Sequence, residues 1–186
     1  APMPVLQDWH RSLEALMPAE SHPARIEGEK IFPPLPPREN FVSAIVCFRG
    51  RPQMTLRAVE SLLKARRKLP LEILLVDNDS LPEDRAEVEK FLPKIPVPVK
   101  LLSFPGPFNY ARMHNWTTRE HAQGNLFLFL NNDVELRSAD LDYWAAWAAQ
   151  PGVATAGSLL RFHHGGVQHA GIRAWFGGES RLVRVG

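Results

Sequence analysis

The run LFLFLNND, residues 126–133, holds the most informative chemistry in this chain of 186 residues. An apolar strand that stops at Asn-Asn-Asp has no packing reason to stop there; the triplet reaches solvent or a ligand. A carboxylate at a strand tip can hold Mg²⁺ or Mn²⁺, hard cations that prefer oxygen and leave positions for phosphate or water. Asp133 is therefore the candidate metal ligand, with Asn131, Asn132 and Glu135 as oxygen-bearing neighbours. The plain alternative is an asparagine-rich turn. VDNDS, residues 76–80, repeats the pattern: Asp77 closes an apolar run and can accept hydrogen bonds from a nucleobase or a ribose hydroxyl. For Asp79 and Ser80, capping of the next helix is explanation enough.

Other reactive residues read more plainly. His163 and His164 precede Gly165-Gly166 and fit a hairpin turn rather than a metal site. Cys47, the only cysteine, fits a small buried hydrophobe and excludes both a disulfide framework and a multi-cysteine zinc site. Trp144 and Trp147 read as core rather than sugar platforms. Arg66, Arg67 and Lys68 read as a solvated helix end that can also touch an anionic membrane surface. A net charge of +2 removes a polybasic nucleic-acid arm as the organising feature. No apolar run approaches a membrane span of about 20 residues, and the N-terminus lacks the pattern of a signal peptide. A soluble protein of a reducing compartment is the expectation.

These residues need elements to hold them. Eight prolines fall within residues 1–40. That segment reads as a short helix, from about Val5 to Met17, followed by an extended Pro-rich arm. From Phe41 strand and helix alternate. FVSAIVCF is a buried strand, Pro52 to Arg67 a helix, LEILLVD a strand, and Pro82 to Leu92 a helix capped by Ser80. VPVKLLS is a strand, Tyr110 to Ala122 a helix, and the 126–133 run the next strand. Asp140 to Ala149 is a helix, and VATAGSLLRF and GVQHAGIRAWF are strands around HHGG. This alternation predicts an α/β domain over 41–186 with a mixed, mainly parallel sheet. Ligands of such sheets bind beyond the carboxyl ends of the strands, where Asp77 and Asp133 both fall.

Taken in order, VSAIVCFRGRPQMTLRAVESL, LEILLVDNDS, FPGPFNYARMHNWTTREHAQGNLFLFLNNDVEL and HHGGVQHAGI resemble a family 2 glycosyltransferase of the GT-A fold. The similarity is to the bacterial branch that builds O-antigen and other surface polysaccharides, including rhamnosyltransferases. It covers residues 41–173, and the order and spacing of the motifs carry it more than any one motif.

The resemblance implies transfer of a sugar, with inversion, from a UDP-, GDP- or dTDP-sugar to a hydroxyl of a glycan or lipid-linked acceptor. A divalent metal, Mn²⁺ or Mg²⁺, would assist, and the setting would be the cytoplasm at the inner face of the membrane. Residue by residue, it implies that Asp77 meets the base or ribose and that Cys47, Phe48 and Arg49 line the nucleotide pocket. Arg112 and Asn115 would close over the nucleotide. Asn131-Asn132-Asp133 would replace the DXD signature, with Asp133 on the metal. His169 belongs to the resembling VQHAG motif. There are departures: Asn131 stands where the first Asp of the signature is usual, Cys47 replaces a usual proline, and Thr117 a frequent glycine. No stretch after His169 matches the family's acidic base motif, and Glu179 is the lone acid there. The chain thus reads as the donor-binding half, with the base outside it. A non-catalytic nucleotide-sugar-binding module is the alternative. A nucleotidyltransferase fits less well, because FRGRPQ is poor in glycine.

Overall fold

The computed structural model describes residues 25–27, 30–32, 40–137, 141–151, 153–169, 172–174 and 180–182. The helix expected near Val5–Met17 and the acid Glu179 lie outside this set. The chain forms two compact units, Ala1–Gln150 and Pro151–Gly186.

The first unit is built on four strands: β3 (Val42–Phe48), β4 (Leu71–Asp77), β5 (Val99–Ser103) and β6 (Leu126–Asn131). They lie in the order β5-β4-β3-β6 and every pairing is parallel. All four therefore end on one edge. The register sets Phe48 beside Asp77, Asp77 beside Ser103, and Cys47 beside Asn131. β3 and β4 are apolar on both faces because both faces are covered.

Helices α1 (Pro52–Ala65), α2 (Pro82–Phe91), α3 (Tyr110–Glu120) and α4 (Leu141–Ala148) supply the cover. On one face Ala44, Val46 and Ile73 join Ala58, Val59 and Leu62 of α1, Val88 of α2 and Ala145 of α4. On the other, Ile45, Leu74 and Val76 pack with Phe104 and with Met113 of α3. Trp144 packs against the first of these cores, as expected of a core residue. Asp142 at the start of α4 accepts the N–H groups of Arg67, Lys68 and Leu69, so one carboxylate fastens this helix to the α1–β4 loop. Sheet and helices together make a three-layer α/β plan, the parallel sheet covered on both faces.

Several details depart from the sequence pattern. The Pro-rich arm contains an antiparallel hairpin, β1 (Arg25–Glu27) with β2 (Lys30–Phe32), which pairs Ile26 with Ile31. α2 takes no side-chain cap from Ser80. Its N-cap position is Leu81, and the Ser80 hydroxyl instead accepts the N–H of Gly50. At β6, Phe127 and Phe129 stay half exposed, and among the described residues the strand pairs only with β3.

In the second unit β7 (Leu160–Arg161) and β8 (Val167–His169) form the hairpin expected around the His163-His164 turn. Of the strand expected over GVQHAGIRAWF, Val167–His169 is β8 and Ile172–Ala174 is β9, which pairs with β10 (Ser180–Leu182). Among the described residues no helix is long and apolar enough to cross a membrane.

Candidate nucleotide and metal site

The carboxyl edge of the sheet carries four loops, and buried polar side chains knit them together. Asn78 follows β4 directly and is wholly buried. Its backbone N–H donates to the carbonyl of Phe48, and its side-chain amide donates to the carbonyls of Phe104 and Gly106, each at 2.9 Å. One asparagine thus ties the loops after β3, β4 and β5. The next residue, Asp79, sits at φ 55°, in the left-handed region where a short polar side chain is tolerated. Its carboxylate accepts the N–H of Gly106 at 2.7 Å. Gly106 itself sits at φ 102°, a backbone that a residue with a Cβ rarely adopts. The capping role expected of Asp79 is replaced by this loop-to-loop contact.

Asp77 is buried, and both its oxygens are engaged. One accepts the N–H of Ser80 at 3.0 Å, and the other accepts from Arg85 Nη1 at 2.8 Å. Arg85 also donates to Ser103 Oγ at 3.0 Å and, through Nε, to Glu89 at 2.9 Å. The hydrogen bond to Asp77 holds the guanidinium more firmly protonated than usual.

Past β6 the triplet divides its roles. Asn132 is half buried and donates to Thr55 Oγ1 of α1 at 3.3 Å. Arg57 of α1 meets Glu135 at 3.3 Å, and the N–H of Leu136 donates to Ser61. Together these contacts pin the tip to α1. Asn131 and Asp133 are exposed. Glu135 is taken up by Arg57, so Asp133 is the carboxylate of this tip that no described basic group engages. The residues suit a divalent cation of the Mg²⁺ type, which commonly takes one or two protein carboxylates and fills its shell with water and substrate phosphate. Among the described residues no cluster of three His, Cys, Asp or Glu side chains is poised to hold a metal unaided.

The remaining expected residues of the first unit lie at or behind this edge. Phe48 is buried on the α1 face as core, while Arg49 is exposed in the loop beyond it. Arg112 and Asn115 are exposed on α3. The Arg112 guanidinium lies 5.6 Å from the centre of the Phe104 ring, and the Arg112 backbone N–H donates to the capping side chain of Asn109. Cys47 faces α3, its sulfur 3.8 Å from His114 Nε2, and burial pushes its thiol up to about 12, so it stays protonated. His169 closes β8 in the second unit.

Sequence reasoning missed Asn78, Arg85 and His114. Arg85 had a signal, since the first turn of α2 can reach back to the strand tip it follows. His114 is buried between the rings of Tyr110, at 4.1 Å, and Phe129, at 4.8 Å, and nothing in its local sequence marks it.

Comparison with known proteins adds the following. Residues 43–179 match the model of the family described as glycosyl transferase family 2. The chain is 42% identical over 134 residues to the O-antigen biosynthesis protein RfbC of Myxococcus xanthus, which is 70% of this chain and 10% of that protein. It is 31% identical over 172 residues to the uncharacterized protein y4gI of Sinorhizobium fredii, which is 86% of this chain and 19% of that one. It thus spans a small part of the length of either relative. In fold it is similar to the mannosyltransferase PcManGT from Pyrobaculum calidifontis, solved in complex with GDP-Man and Mn²⁺. The TM-score is 0.56 at 20% identity, over 80% of this chain and 40% of that one.

Proposed function

Since the chain belongs to glycosyl transferase family 2, we propose that it is the donor-binding half of an inverting glycosyltransferase of surface-polysaccharide synthesis. The observation that carries this reading is the pairing of two acidic strand tips on one sheet edge. Asp133 is exposed beyond β6, and Asp77 is built into the loop framework beyond β4. Asp133, with the carbonyl oxygens of Asn131 and Asn132 beside it, would hold Mn²⁺ or Mg²⁺. A divalent ion there supplies charge stabilisation for the leaving diphosphate. The complex of PcManGT with GDP-Man and Mn²⁺ supports a nucleotide-sugar donor and a metal.

The reaction proposed is a single displacement. A general base takes the proton of an acceptor hydroxyl, the oxygen attacks the anomeric carbon, and the bond to the nucleoside diphosphate breaks with inversion. This chain's residues bind and orient the donor; the base is proposed to lie outside it. Loops fixed by Asn78 and Asp79 give the donor a preformed bed, which lowers the ordering cost of binding. Cys47 and Arg49, with Arg112 and Asn115 of α3, complete the proposed nucleotide pocket, while Phe48 supports it from the core. The exposed Arg67 and Lys68 would bring the chain to the cytoplasmic face of an anionic membrane, where a lipid-linked acceptor resides.

The test is thermal stability with UDP, GDP or dTDP, each with and without Mn²⁺. A ligand held at 100 times its dissociation constant stabilises a fold by about 2.7 kcal/mol, so one of the three raises the melting temperature. Asp133→Ala removes the part of that rise that needs metal. An equal metal effect in the variant takes Asp133 out of the role.

A further inference from the structure

Asp77 cannot meet a donor freely: one oxygen is committed to Ser80, the other to Arg85, and 5% of its side chain is exposed against 28% for Arg85. The accessible member of the pair is the guanidinium. Arg85 rises from the first turn of α2 and is clamped by residues that end two adjacent strands, Asp77 of β4 and Ser103 of β5, and by Glu89 one turn along its own helix. Nε and Nη1 are used in these bonds. Nη2, with two N–H groups, has no acceptor among the described residues.

Building on the nucleotide-binding reading, we propose that Arg85, oriented by Asp77 and Ser103, donates through Nη2 to a keto oxygen of the donor's nucleobase. Two arguments choose a base over a phosphate. The first is charge: one guanidinium stands against the two carboxylates of Asp77 and Glu89, so the cluster sums to −1 and repels a phosphate. A neutral keto oxygen meets no such penalty and accepts one of the two N–H groups. The second is position. Neighbouring strands lie about 4.8 Å apart, and β4 and β5 are the second and third strands from β6. A diphosphate held at Asp133 directs the far end of the nucleoside toward them. Asp77 then becomes a positioning residue that acts through Arg85.

Calorimetry in Mn²⁺ with UDP, GDP, dTDP, ADP and inorganic pyrophosphate tests this. Adenine carries no keto oxygen, and pyrophosphate no base. The keto-base nucleotide that binds the wild-type chain should bind Arg85→Ala and Arg85→Lys at least tenfold more weakly, while pyrophosphate shifts less than twofold. Arg85→Lys keeps a cation beside Asp77, so it gives the reading if Arg85→Ala does not fold. Asp77→Asn should weaken the same nucleotide, yet add nothing further in the Arg85→Lys background. Wild-type affinity in Arg85→Lys, an equal loss for pyrophosphate, or an undiminished effect of Asp77→Asn in that background overturns the assignment. If the wild-type chain binds none of the nucleotides, the nucleotide reading itself falls, and this one with it.

Discussion

His114 shows what burial does to a titratable group beneath the carboxyl edge. Its imidazole is 5% exposed and touches the Cys47 sulfur through Nε2, while Nδ1 finds no hydrogen-bond partner among the described residues. Among the described residues no carboxylate pairs with it, and desolvation lowers its affinity for a proton below the usual 6.5. As pH falls below 6.5, the unfolded chain takes up the proton that the folded chain refuses, and stability falls with it. His114→Gln should flatten the melting-temperature profile between about pH 7 and pH 5, within the range where histidine titrates. A profile as steep as that of the wild type would show that other groups set it. Asn78 makes a different point at the same scale: the strand-tip residue that joins the most loops is the neutral one between two aspartates.

At the scale of elements, the loop entering β6 fixes where the Asn-Asn-Asp tip can stand. Ser43 of β3 donates to the buried Glu72 of β4 at 2.6 Å, and Glu72 also accepts the N–H of Gln123. The N–H of Gly124 donates to the Ser43 hydroxyl. A Cβ at Gly124 would come within 2.5 Å of the Phe41 carbonyl and 2.7 Å of the Ser43 nitrogen, both backbone atoms that cannot swing away. Gly124→Ala should therefore cost about 1–3 kcal/mol, as overpacking does, and denaturant unfolding measures it. Stability equal to the wild type's would mean that β3 and the loop move apart at no cost. This latch lies at the amino edge of the sheet, the end away from the proposed donor.

Legibility followed physical range. Apolar runs and turn residues are local, so the strands of the first sheet, their helices and both acidic tips could be read from the chain. The partners of those tips are not local. Ser80 serves Gly50 rather than α2, Asp79 serves Gly106, and Arg85 reaches two strands, because tertiary proximity outbid the adjacent helix end. The hairpin at 25–32 was hidden by flanking prolines, which are compatible with extended backbone whether or not it pairs.

For the whole molecule, the division at Gln150 has a direct test. Every residue of the proposed donor site lies in the first unit. A chain ending at Gln150 should keep the cooperative unfolding of the parallel sheet and bind the same nucleotide within about threefold, a difference under 1 kcal/mol. A larger loss would bring the segment of His169 into the donor site.

The edge position of β6 among the described strands has a colloidal consequence. Leu126–Asn131 holds no charge and no proline, the two devices by which sheets usually discourage growth at their margins. With its own Phe127 and Phe129 half exposed, the strand combines an edge that no described strand pairs with and a greasy surface, the combination that templates fibril-like stacking. Expressed by itself, the chain should scatter light increasingly with concentration. Phe127→Lys should suppress that scattering while leaving the nucleotide end of the sheet unchanged, since Phe127 pairs with Ser43 toward the amino edge.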